Sequence, residues 1–100
     1  MEVMETYVML VRWTQKGAEA IKDSPSRLEA FKSALQKLGG EFKTFYMVSG
    51  QYDMVLVIQA PNFETAAKAA LSSGALGNVR TETMRAFTED ECKSIIAALP

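Results

Sequence analysis

The chain has 100 residues, of which 48% are hydrophobic and 23% charged. This is a single-domain length with a globular composition, too apolar for a disordered chain. The formal net charge is −1 and the basic residues are scattered, so nothing electrostatic points to nucleic acid or an anionic membrane as a partner.

Cys92 is the only cysteine, so an intramolecular disulfide is excluded and a reducing, cytoplasmic compartment is expected. The stretch Met1-Glu2-Val3-Met4-Glu5 lacks the basic start and long apolar run of a signal peptide. The longest apolar run, Met54 to Ile58, is too short to span a bilayer. There is no histidine, which removes the commonest metal ligand, the usual general base near neutral pH and the usual proximal haem ligand. The glycines at 39, 40, 74 and 77 lack the spacing and the following lysine of a phosphate loop. No cofactor and no metal are expected.

Thr6 to Trp13 is rich in β-branched, aromatic and long apolar residues and is predicted as a strand. Thr14 is a candidate cap for a short helical turn through Ala18 to Ile21, weakened by Gly17. Asp23-Ser24-Pro25 is a clearer helix start, with Ser24 as cap and Pro25 at the first helical position. Leu28, Phe31, Leu35 and Leu38 then recur at helical spacing, and Gly39-Gly40 ends the helix. Glu41 to Ser49 and Asp53 to Ala60 are predicted strands joined as a hairpin by a turn at Gly50-Gln51-Tyr52. Pro61 stops the second of them. Asn62 caps an alanine-rich helix from Phe63 to Leu71, which Ser72-Ser73-Gly74 ends, and Gly77 marks another turn. Asn78 to Phe87 is the last strand. Thr88 to Glu91 is a capping box leading into a final helix with Ile95, Ile96 and Leu99.

The order strand, helix, strand, strand, helix, strand, plus a carboxy-terminal helix, predicts an α+β, ferredoxin-like βαββαβ sandwich in one domain over residues 1–100. In such a fold the first and third strands are central, and helices cover one sheet face. Here both faces of both central strands are apolar: Tyr7, Met9, Val11 and Trp13 against Val8 and Leu10, and Met54, Leu56 and Ile58 against Val55 and Val57. A half-wet antiparallel sheet alternates apolar with polar instead. The second face is therefore expected to meet a second copy, giving a homodimer or higher homo-oligomer with two stacked sheets. The alternative is that the carboxy-terminal helix folds over that face alone.

Tyr7 to Thr14, Lys22-Asp23-Ser24-Pro25, Gly50-Gln51-Tyr52-Asp53 and Gly77-Asn78-Val79-Arg80-Thr81 resemble the GYD domain family, whose name comes from a Gly-Tyr-Asp signature. Gln51 stands between Gly50 and the Tyr52-Asp53 pair. The resemblance covers about Thr6 to Glu91. It implies a ferredoxin-like fold of the dimeric α/β-barrel type in a small bacterial or archaeal protein, and no settled activity.

The Tyr52-Asp53 pair is the candidate for catalysis. A carboxylate beside a phenol at a hairpin mouth can bind a cation or act as a general base when buried. The plainer assignment has Asp53 accepting backbone N–H bonds within the turn and Tyr52 packing. Trp13, Tyr7 and Tyr46 are candidates to line a pocket beneath the cover of the sheet, or else to pack. Arg80 and Glu82, on one face of the last strand, are candidates for an anionic ligand, with arginine as a carboxylate fork. Arg85 points the other way. The plainer assignment is a charged edge strand protected from further pairing. Arg12, on a central strand with apolar neighbours, needs a partner if partly buried, and Glu82 is the candidate. Cys92 near a helix amino terminus is a candidate redox thiol, with an ordinary half-buried cysteine as the simpler assignment. Met9, Met47, Met54 and Met84 are expected as core fillers.

Three functions fit this pattern. The first is a homo-oligomeric small-molecule-binding or regulatory module. The second is a small cofactor-free enzyme with its site between sheet and helices or at the dimer interface. The third is a structural or assembly protein. Neither nucleic acid nor a membrane is expected as a partner.

Overall fold

A computed structural model describes residues 3–100. Met1 and Glu2, the start of the acidic amino-terminal stretch, lie outside the described residues. Strand β1 spans Glu5–Trp13. Thr14 caps the short helix α1, Gln15–Glu19, its hydroxyl accepting the Gly17 N–H at 3.2 Å. A single 3₁₀ turn, Ile21–Asp23, leads into helix α2, Ser24–Lys37. Strands β2, Glu41–Met47, and β3, Met54–Ala60, follow. Helix α3 spans Phe63–Ala75, β4 Val79–Ala86 and helix α4 Glu89–Ala97.

The four strands form one antiparallel sheet in the order β2-β3-β1-β4. This is the ferredoxin-like α+β arrangement, with β1 and β3 central as their apolar character requires. A register shift between Phe42 and Thr44 marks a bulge in edge strand β2. Bulges are a usual way to blunt an edge against further pairing.

The core lies on one face only. Tyr7, Met9, Val11, Leu56 and Ile58 are buried there beneath Leu35 of α2 and Ala66 and Ala69 of α3. Alanine at those two positions lets α3 lie close on the sheet. On the other face Val8, Leu10, Val55 and Val57 are only half-buried, and no helix covers them. Helix α4 does not fold over this face. Its Ile95 and Ile96, and Leu99 just beyond its end, remain exposed, and it packs closely on no other element. An ion pair holds its first turn to the sheet, from Arg85 Nη2 to Glu91 Oε2 at 3.7 Å.

Several local expectations are corrected. Ser24 does not cap α2. It is the first helical residue, and Asp23 stands at the cap position without a side-chain capping hydrogen bond. The 3₁₀ turn already delivers the chain in helical conformation, and the Ser24 hydroxyl accepts a hydrogen bond from Trp13 Nε1 at 3.1 Å. Helix α3 runs through Ser72-Ser73-Gly74 to Ala75. The left-handed residue is Gly77, at φ 82°, so the chain turns there instead. Gly17 is required rather than merely tolerated. A Cβ at this position would lie 2.1 Å from the Asn78 carbonyl oxygen, where α1 abuts the start of β4. Met47 and Met84 are not core fillers. Met47, 72% exposed, ends an edge strand, and Met84 stands on the open face. Cys92 is exposed rather than half-buried, because α4 stands off the sheet.

Candidate functional site

The loop 48–53 between β2 and β3 carries the Gly50-Gln51-Tyr52-Asp53 stretch. Gly50 adopts φ 124°, a conformation that disfavours side chains. The Val48 N–H donates to the Asp53 carbonyl at 2.8 Å, which closes the loop. The Asp53 N–H donates to the Val11 carbonyl at 2.9 Å and extends the β1–β3 ladder by one rung. The Asp53 carboxylate then accepts the Trp13 backbone N–H at 2.9 Å. The Asp53 carboxylate thus accepts a backbone bond, but from the neighbouring strand rather than from its own turn.

With Asp53 fixed, Tyr52 is laid across the end of β1. Its ring lies 4.6 Å from the Arg12 guanidinium carbon, a cation–π contact. Its hydroxyl donates to Glu82 Oε2 at 2.8 Å. That hydrogen bond is the main reason the phenol sits above its ordinary pKa, with desolvation and the Glu82 charge adding to it. Arg12 Nε donates to the Gln51 carbonyl at 2.5 Å.

Arg12 is exposed, not partly buried, and it makes no ion pair with Glu82 among the described residues. Tyr52 bridges the two instead. Arg80 sits directly opposite Arg12, and Glu82 opposite Leu10, across the β1–β4 ladder. Together these side chains border a cleft of ≈ 140 Å³ on the open sheet face. Five of the sequence candidates, Arg12, Tyr52, Asp53, Arg80 and Glu82, therefore gather at one end of the sheet.

The aromatic candidates do not assemble. Trp13 lies on the helix side, where its indole reaches Ser24 and borders an apolar groove of ≈ 340 Å³ with Leu28 and Phe45. Tyr46 pairs in register with Val55 on the open face and is 62% exposed. Tyr7 is buried in the core and donates to Glu5 Oε1 at 2.5 Å. Burial, then the bond to Glu5, pushes its phenol from 10.0 up to about 12.

Arg85 faces the helix side, pairing with Glu5 at 3.9 Å and with Glu91, and stacking on Phe87. Sequence reasoning missed Gln51, whose contribution is a backbone carbonyl and leaves no side-chain signal. No group of three His, Cys, Asp or Glu side chains suited to a metal ion forms among the described residues. No described helix is long and apolar enough to cross a membrane.

A ferredoxin-like domain with one bare sheet face and a polar cluster built on a Gly-x-Tyr-Asp loop is what these features define. The chain belongs to the GYD domain family, whose defining pattern matches residues 7–96. A curated relative from Thermus thermophilus, described as a glutamine synthetase and cystathionine beta-lyase binding protein, is 33% identical over 85 residues. The match covers 84% of this chain and 90% of the relative.

Proposed function

We propose that this chain is a homo-oligomeric binding or regulatory module that docks on metabolic enzymes, with glutamine synthetase and cystathionine β-lyase as its candidate partners. The observation that carries the homo-oligomeric part of this reading is the open sheet face, where Val8, Leu10, Val55 and Val57 have no helix above them. Monomers rarely leave an apolar surface of that kind to water. The same face of a second copy covers it by isologous stacking, and a dimer presents two equal docking surfaces to a symmetric enzyme. The enzyme partners are supported by the description of the Thermus thermophilus relative. A cytoplasmic location fits such partners and the single unpaired cysteine.

Interferometry tests the proposal, with the chain immobilised and purified glutamine synthetase or cystathionine β-lyase from its own organism in solution. Saturable binding of either enzyme at micromolar concentration is expected. No binding by either would overturn the enzyme-docking assignment.

A further inference from the structure

Arg12 and Arg80 are direct partners across the β1–β4 ladder, on the face without helices. Like charges placed opposite one another on adjacent strands repel. Neither guanidinium has an ion-pair partner among the described residues. Arg12 is tied through Nε to Gln51 and through its face to Tyr52. Arg80 reaches only its neighbour's carbonyl, Val79, at 3.5 Å, which is long for a hydrogen bond. Two cations thus share one cleft with most of their donors uncommitted. An anion placed between them relieves the repulsion, and a carboxylate matches the planar fork of arginine.

The cleft also contains one acid. Glu82 lies two positions beyond Arg80 on β4, and its Oε2 accepts the Tyr52 hydroxyl. A site with two cations and one carboxylate complements a zwitterion better than a simple anion, because Glu82 repels the far side of a phosphate. The cleft volume of ≈ 140 Å³ is several times the about 30 Å³ occupied by one liquid water. It is well below the about 300 Å³ at which drug-sized pockets begin. The ligand is therefore small.

We propose that this cleft binds an α-amino acid, its carboxylate held between Arg12 and Arg80 and its ammonium group against Glu82, with the Tyr52 ring as one wall. This deepens the binding-module assignment and rests on it for its regulatory meaning. A paired sheet would close over the ligand and let amino-acid supply bias enzyme docking.

The test is calorimetric titration of the chain alone, so a failure here is separate from a failure of enzyme docking. The probes are glycine, L-alanine and L-glutamine, with pyruvate lacking the ammonium, ethylamine lacking the carboxylate, and inorganic phosphate. Saturable binding of at least one amino acid is expected, with no binding of ethylamine or phosphate. Arg80→Gln, at an exposed edge-strand position, should weaken it at least tenfold without lowering the melting temperature, because the repulsion from Arg12 is relieved. Glu82→Gln should weaken the amino acid but not pyruvate. The proposal is overturned if no amino acid binds at millimolar concentration. It is also overturned if phosphate binds more tightly than any amino acid, or if folded Arg80→Gln and Glu82→Gln bind like the parent chain.

Discussion

The Asp53 carboxylate accepts the backbone N–H of Trp13 at 2.9 Å, where β1 outruns its pairing with β3. One side chain thereby replaces a missing rung of the sheet. The same residue fixes the loop that places Tyr52 over Arg12. The aspartate of the family signature has a structural task that precedes any chemistry.

Asp53→Ala leaves the half-buried Trp13 N–H without its partner. Unmaking such a bond costs about 1–3 kcal/mol, so the melting temperature should fall clearly. Asp53→Asn keeps an acceptor oxygen and should lose much less. Thermal unfolding of both variants checks this. Equal losses would mean that charge, not hydrogen bonding, is what the site requires.

Gly17→Ala places a methyl group 2.1 Å from the Asn78 carbonyl oxygen, a backbone atom that cannot swing aside. Overpacking of this kind costs about 1–3 kcal/mol, although alanine is intrinsically the better helix former. Chemical denaturation should show destabilisation. A stabilised variant would mean that α1 and residue 78 separate easily.

Tyr7 gives a pH signature. Its folded pKa of about 12 lies above the ordinary 10.0, so the folded state holds the proton more tightly than the unfolded chain. Its contribution is complete below pH 10 and is lost as pH rises towards 12. Ultraviolet titration should show Tyr7 and Tyr52 ionising above the ordinary phenol range, and Tyr7→Phe should remove the phase near pH 12. In denaturation at rising pH, the parent chain should lose stability more steeply than Tyr7→Phe over this window. Parallel curves would contradict the assignment.

What the sequence disclosed follows a physical line between local and distant partners. Thr88 and Glu91 form the expected capping box because both partners lie within one helical turn. The strand order follows from alternation and turn residues, which are also local. The role of Ser24 is not legible locally because its partner, Trp13, comes from a different element. The end of α3 is not legible locally because two glycines, Gly74 and Gly77, suit the left-handed turn, and only the backbone shows that Gly77 takes it.

At the site, the residue types in Arg12, Tyr52, Arg80 and Glu82 were visible in the sequence, and so was the shared face of Arg80 and Glu82. The bridge through Tyr52 was not, because it depends on where a loop folds back. The sequence groups Trp13 and Tyr46 only as large aromatics suited to one pocket. The sheet places them on opposite faces, since the bulge in β2 resets which residues of that strand face the helices.

The central claim is that the bare sheet face is a pairing surface, and light scattering coupled to gel filtration at micromolar concentration tests it most directly. The account predicts a mass at least twice the 11.0 kDa of the chain, falling to the chain mass in Val57→Lys, which puts a charge at the centre of the face. A folded parent chain that elutes at its own mass would contradict it.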